Sequence, residues 1–271
     1  LNSLGHGVRV GDRLISVLLF ADDIAVLAKS EEDLQQMLTV IHKWCEKWQL
    51  CINPDKSKVV HFRFNGKQIS SYVFKIGSAK IEYTSQYKYL GFWMNEHLDY
   101  SYSVDQIAKS ASRAFAAVTS KFYKCGGMSH GVYTKLYQSL VEPVYLYSSP
   151  IWGLKSYKVI NNIQRQASKV YLGLSKTSTN DAAIGDMGWK SCYTRQLAEV
   201  YRLYIRLANM DPSRITYNVF KNTKQFSKSH YRLAIKEFRK YDIDTDFAKF
   251  QTKYTVRCQI GSAIEQIEHA L

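Results

Sequence analysis

Asp22 and Asp23 are the residues best placed to do chemistry in this sequence. They stand side by side in Phe20-Ala21-Asp22-Asp23, between the apolar runs 14–19 and 24–28. Runs of this length and composition predict two strands, so the acidic pair falls at their tight connection. Two carboxylates held there offer hard oxygen ligands for Mg²⁺, which takes one or two carboxylates together with phosphate oxygens and water. Nucleotidyl transfer on two such ions uses this chemistry. An Asp-Asp turn joining two strands is also ordinary turn chemistry, and the four residues alone leave both readings open. A second candidate is Lys56, after the turn Asn53-Pro54-Asp55. On the residues alone, a lysine after such a turn is a solvated turn lysine.

Basic residues form the third set of candidates. The 271 residues carry 37 Lys and Arg against 23 Asp and Glu, a formal charge of +14. Residues 1–60 are near neutral, with seven basic and eight acidic groups, so the excess lies in residues 61–271. Such an excess supplies sequence-independent affinity for nucleic acid by releasing counterions. Lys109 and Arg113 lie four apart on one predicted helix. Lys158, Arg165 and Lys169 recur at i, i+7, i+11 on a second, opposite its apolar residues, and Arg195, Arg202 and Arg206 repeat that spacing on a third. Arg on a helix face suits bidentate contact with phosphates, while a solvated charged face is the plain alternative.

The elements that must position these groups are legible locally. Ser30 followed by Asp33 predicts a helix N-cap. Leu34, Met37, Leu38, Ile41, Trp44, Cys45 and Trp48 continue at helical spacing and predict a core stripe that includes both tryptophans. Residues 72–76 and 79–83 alternate about Gly77-Ser78 and predict a hairpin. Residues 87–93 predict a strand with Gly91 inside it, a bulge or a close backbone approach. Val104, Ala108, Ala111, Phe115, Val118 and Phe122 make a heptad-like seam on a helix over 101–122. A further helix runs from about Val132 to Val141, closed by Pro143. The basic stretch 214–240 has eight basic groups and one acid, Glu237, and reads as a nucleic-acid surface or a solvated linker.

Composition excludes several classes. Forty-six per cent hydrophobic content sustains a real core. Five scattered cysteines contain no C-x-x-C pair, which argues against a zinc site and suits thiols acting as small apolar residues. No apolar run reaches the roughly 18–20 residues of a membrane span, so no membrane partner is expected.

Residues 18–27, with Phe20-Ala21-Asp22-Asp23 at their centre, resemble the motif C hairpin of reverse transcriptases in its non-LTR (LINE-type) retrotransposon form. Residues 52–58 resemble motif D, Tyr87-Lys88-Tyr89-Leu90-Gly91-Phe92 resembles the primer-grip hairpin, and residues 136–143 with 147–153 resemble the region from thumb to C-terminus. The blocks follow the family's order across most of residues 8–210. The resemblance implies an α+β chain: a partial polymerase palm of antiparallel hairpins with a packed helix (1–96), a helical thumb (97–175) and a helical basic C-terminal extension (176–271). It implies an RNA-directed DNA polymerase using Mg²⁺, with Asp22 and Asp23 as catalytic metal ligands and Lys56 near the leaving pyrophosphate. Tyr89, Leu90 and Gly91 would lie at the primer end, and the basic helices along an RNA template–DNA primer duplex, with dNTP as substrate. The family's upstream metal-binding Asp, fingers and Gln-Gly turn have no counterpart here. The chain is therefore expected to be the C-terminal part of a longer reading frame, to partner the remainder of that frame, and not to polymerise alone. The family would place it in an intracellular ribonucleoprotein of nucleus or cytoplasm. A decayed or repurposed module that only binds nucleic acid is the rival expectation. A group II intron maturase ranks lower, because that family prefers Tyr at the position of Phe20.

Overall fold

A computed structural model describes residues 4–271, which divide into two compact units, 4–100 with 212–222, and 101–211 with 223–271.

The first unit is a set of small sheets around one helix. Strands β1 (Val8–Val10) and β2 (Arg13–Ile15) pair antiparallel, as do β3 (Val17–Phe20) and β4 (Asp23–Val26). The apolar run 14–19 is thus broken at Ser16, which is buried and donates its hydroxyl to the His6 carbonyl at 2.5 Å. Helix α1 (Glu31–Lys47) starts as its sequence predicts, with the Ser30 hydroxyl accepting from the Asp33 N–H at 3.1 Å. Its buried face is Met37, Leu38, Ile41 and Cys45. Leu38 packs with Phe74, Ile76 and Ile81, and Leu34, Ile52, Val59, Tyr72 and Tyr83 close over that cluster.

Beyond the helix, β5 (Lys58–Val59) runs parallel to β7 (Ala79–Tyr83), and β6 (Phe74–Ile76) pairs with β7 on its other side, giving the order β5-β7-β6. The β6–β7 hairpin turns on Gly77-Ser78, as the alternation predicts. Gln35 of α1 accepts from the Lys75 N–H and donates to the Lys75 carbonyl, both at 2.9 Å. The last pair is β8 (Gln86–Tyr89) with β9 (Phe92–Asn95).

Two expectations need correction in this unit. Gly91 is not inside a strand. Leu90 and Gly91 are the two turn residues between β8 and β9, both with positive φ (48° and 82°), as a type I′ hairpin turn requires. Trp44 and Trp48 are not core: they are 52% and 60% exposed. Trp44 lies at the rim of the apolar stripe and Trp48 is the C-cap. Their rings stand 6.3 Å apart, with Lys47 Nζ 6.0 Å from the Trp48 ring.

The second unit is helical. Helix α2 (Ser101–Lys124) buries Val104, Ala108, Ala111, Phe115 and Val118, the predicted seam, together with Ile107. It packs on α4 (Glu142–Tyr145) and α6 (Lys158–Leu172), while α3 (His130–Leu140) and α5 (Ser149–Trp152) complete that half. Pro143 does not close α3 but opens α4, where its missing N–H costs nothing. Gly173, at φ 64°, terminates α6. An aromatic stack fills the interior: Tyr137 lies on Trp189 at 4.3 Å, and the buried Tyr133 donates its hydroxyl to the Ala167 carbonyl at 2.9 Å. Helices α7 (Asn180–Asp186) and α8 (Cys192–Ala208) follow.

The basic stretch 214–240 is no bare linker. It forms α9 (Ile215–Thr223), most of which belongs to the first unit, and α10 (His230–Arg239), which buries Ala234, Ile235 and Phe238. The final helix, α11 (Lys253–Ala270), packs along α8 in the opposite direction. At one end, the Glu268 carboxylate accepts from the Ser191 N–H at 3.1 Å. At the other, Asn209 beyond α8 donates to the Phe247 and Phe250 carbonyls at 3.0 and 3.3 Å. No helix among the described residues is long and apolar enough to cross a membrane.

Candidate active-site hairpin and basic surfaces

The register of β3 and β4 pairs Phe20 with Asp23, so Ala21 and Asp22 are the two turn residues. Ala21 has φ 51°, a left-handed conformation that costs an L-residue about 1–2 kcal/mol. Asp22 does not share the positive φ, and with two residues between the paired strand ends the connection is a tight two-residue hairpin turn. Asp22 therefore stands on the turn and Asp23 on the first residue of β4, both exposed. The base of the hairpin is fixed. The Leu27 N–H bonds the Ser16 carbonyl at 2.8 Å, and His6, next to Gly7, holds Asp33 at 2.9 Å and Gln36 at 2.8 Å on α1. A Cβ on Gly7 would come 2.7 Å from the Ile15 carbonyl oxygen and 2.8 Å from Ser16 Oγ, so this close approach requires glycine. Leu19 and Phe20 on the hairpin are 69% and 61% exposed.

Two adjacent carboxylates suit a hard divalent cation in part, since Mg²⁺ is held by one or two such groups plus phosphate oxygens and water. No cluster of three or more His, Cys, Asp or Glu side chains capable of holding a metal occurs among the described residues.

The loop carrying Lys56 is an Asx turn: Asn53 Oδ1 accepts from the N–H groups of Asp55 and Lys56 at 3.0 and 3.2 Å. Its backbone is tied to the β8–β9 hairpin, where the Tyr87 hydroxyl donates to the Lys56 carbonyl at 3.2 Å. The two lysines of this segment differ in state. Lys58 is engaged by Glu82 at 2.7 Å across the β5–β7 pairing, and Lys56 is exposed. Tyr89 is half-buried, and Leu90 and Gly91 form the exposed tip of their hairpin.

The helical basic residues divide by environment rather than forming two equal stripes. Lys109 and Arg113 are exposed and share a groove between α2 and α6 with Asp105, Asn162 and Gln166. Lys158 is exposed, but Lys169 donates to the Lys176 carbonyl at 2.9 Å. Arg165 and Arg195 are half-buried. They face an interior cluster of Glu142, Tyr145 and Cys192, where burial raises the Glu142 carboxyl against the opposing pull of Arg195 and pushes the Cys192 thiol up to about 12. The reading of all six as lying opposite the apolar residues is thereby corrected for Arg165 and Arg195. On α8, Arg202 pairs with Glu199, and Arg206 is exposed. Reading the sequence missed Lys253 and Arg257, which the structure brings beside Arg202 and Arg206. The signal available was Thr252, an N-cap whose hydroxyl accepts from the Thr255 N–H at 3.1 Å and so starts a helix with basic residues one turn apart.

Residues 3–94 match the family described as reverse transcriptase (RNA-dependent DNA polymerase). That segment holds strands β1 to β8 and most of β9, with the Asp22-Asp23 hairpin and the Leu90-Gly91 turn. This segment is similar to reverse transcriptase sequence, and the relatives it resembles come from mobile elements. The chain is 24% identical over 172 residues to the RNA-directed DNA polymerase from mobile element jockey of Drosophila melanogaster, a match covering 61% of this chain and 19% of that protein. It is 25% identical over 151 residues to the probable RNA-directed DNA polymerase from transposon BS of the same fly, covering 54% of this chain and 17% of that protein. It is 27% identical over 160 residues to the corresponding protein of transposon X-element, again from Drosophila melanogaster, covering 56% and 17%. The chain thus spans under a fifth of the length of these relatives. The reverse transcriptase match ends before α2, so the second unit's basic grooves lie outside it.

Proposed function

We propose that this chain supplies the metal-binding hairpin and the nucleic-acid-holding helices of an RNA-directed DNA polymerase, with residues 1–96 as partial palm, 97–175 as thumb and 176–271 as a basic extension. The observation that carries the reading is the Asp22-Asp23 pair, exposed on a tight turn within the reverse transcriptase match. Asp22 and Asp23 would hold Mg²⁺, which when bound activates a primer 3′-hydroxyl and stabilises charge on the transferring phosphoryl group. Lys56, exposed on a loop that Tyr87 ties to the next hairpin, offers its ammonium to the departing pyrophosphate. Tyr89, Leu90 and Gly91 position the primer end. Lys109, Arg113 and Lys158 contact the template–primer duplex through its phosphates, which carries no sequence preference. Arg165, Lys169, Arg195 and Arg202 support those helices while engaged with protein groups.

Two-metal chemistry needs carboxylates from more than one strand, and the resemblance places a further Asp upstream. We therefore expect no nucleotide incorporation by the 271-residue chain alone, and incorporation by a protein that also contains the upstream segment. Primer extension on a primed RNA template with Mg²⁺ tests both. Asp22→Ala should abolish extension by the longer protein while its affinity for template–primer is kept. Extension that survives Asp22→Ala would refute the assignment. Extension by the short chain that depends on Asp22 would refute the need for the upstream strand.

A further inference from the structure

We infer that the groove between α8 and the N-terminal end of α11 binds the sugar-phosphate backbone of single-stranded RNA, independently of the Asp22-Asp23 hairpin. The groove, of about 660 Å³, gathers Arg202 and Arg206 from α8 with Lys253 and Arg257 from α11. No Asp or Glu lines it, unlike the α2–α6 groove, where Asp105 sits beside Lys109 and Arg113. Glu199 engages Arg202 from its own helix, and Arg206, Lys253 and Arg257 are exposed. The walls are held rigidly by Asn209, whose amide bonds the Phe247 and Phe250 carbonyls.

Each helix contributes two cations one turn apart, about 6 Å along its axis. Each such pair can meet the phosphates of one strand, whose backbone carries one negative charge per nucleotide. The N-terminal end of α11 adds its partial positive charge to the same place. Half-buried Phe250 is the aromatic residue lining the groove, beside Lys253 and Arg257. An aromatic face next to cations can hold an unpaired base by stacking while the backbone is neutralised. A duplex hides its base faces, which is why the single strand is the better fit.

The test is fluorescence anisotropy of the full 271-residue chain with a labelled 20-nucleotide RNA of mixed sequence, titrated at several salt concentrations. A double substitution, Arg206→Gln with Arg257→Gln, should make the slope of log affinity against log salt shallower by about 1.4 and weaken binding about 25-fold at 0.1 M salt, from two lost contacts at about 0.7 each. The charge-keeping pair Arg206→Lys with Arg257→Lys should retain the slope. Lys228→Gln with Lys236→Gln removes the same charge elsewhere on the second unit and should change the slope little. Equal losses from the two Gln pairs, or an unchanged slope, would overturn the proposal in favour of diffuse charge attraction. Loss of binding to phosphatidylserine vesicles with RNA affinity intact would overturn it in favour of a membrane surface. Tighter binding to a duplex of the same sequence would overturn the single-strand assignment.

Discussion

Gly77→Ala should loosen the β6–β7 hairpin by about 2 kcal/mol, through two effects that can be separated. Gly77 has φ 59°, where an L-residue costs about 1–2 kcal/mol. A Cβ there would also stand 2.6 Å from His42 Nε2 and 2.8 Å from Cε1, so the imidazole must leave its position. Forcing a side chain off its rotamer costs about 0.5–1.5 kcal/mol. The ring's ion pair with Glu46, at 3.4 Å and partly exposed, adds little to that. Lower entropy of the unfolded chain returns about 0.4–1 kcal/mol. Removing the ring with His42→Ala should rescue part of the loss, giving a coupling of about 1 kcal/mol in the double-mutant cycle. A melting curve would mix two compact units, so the measurement is amide hydrogen exchange of β6 and β7, where 2 kcal/mol appears as roughly thirtyfold faster exchange. Strict additivity of the two substitutions would refute the clash. An effect of Gly77→Ala below about 0.5 kcal/mol would refute the backbone argument as well.

Other perturbations follow the same logic. Gly91→Ala, at φ 82° in the Leu90-Gly91 turn, should destabilise the β8–β9 hairpin by about 1–2 kcal/mol, seen as faster amide exchange there but not in β6–β7. Tyr133→Phe should cost the second unit about 1–2 kcal/mol, since the buried Ala167 carbonyl loses its hydroxyl donor; chemical denaturation followed by the near-ultraviolet signal of the aromatic stack reads it. Glu142 is buried and its carboxyl is raised above the ordinary value of 4.5. Its folded form therefore binds a proton more tightly than the unfolded chain, and the stability it contributes is full below that value and lost as pH rises through the folded one. Glu142→Gln should flatten this dependence and raise stability at neutral pH; a lower midpoint of denaturation at pH 7 would contradict it.

What could be read from the sequence was what is decided locally. The Ser30 cap, the Gly77-Ser78 turn, the Gly173 stop and the seam of α2 each depend on a few neighbouring residues, and each stands where it was expected. The acidic pair was placed at a turn for the same reason. The misreadings came where tertiary context decides. Leu90 gave no sign of a turn because leucine rarely takes positive φ, so Gly91 was assigned to a strand. Trp44 and Trp48 continued an apolar period, but periodicity gives a direction and not the width of the face that is covered. Arg165 and Arg195 kept helical register with exposed cations, yet the polar interior around Glu142 and Cys192 draws them inward, and nothing in their spacing records that cluster. The stretch 214–240 left a nucleic-acid surface and a solvated linker open because its charge dominates, although Phe220, Ala234, Ile235 and Phe238 suffice to anchor two helices.

The contact between Gln35 and Lys75 bears on how the three-stranded sheet ends. β6 is one of its two edge strands, and the free N–H and C=O of such a strand are a template on which another chain can add. The Gln35 amide offers one acceptor and one donor at the spacing of a peptide group, so α1 imitates a single residue of the absent neighbouring strand. An invading strand would have to displace that amide, and α1 is anchored by Met37, Leu38 and Ile41. Sheet extension at this edge is thereby coupled to unpacking of the helix beneath it, and the core that stabilises the first unit also guards it against self-association.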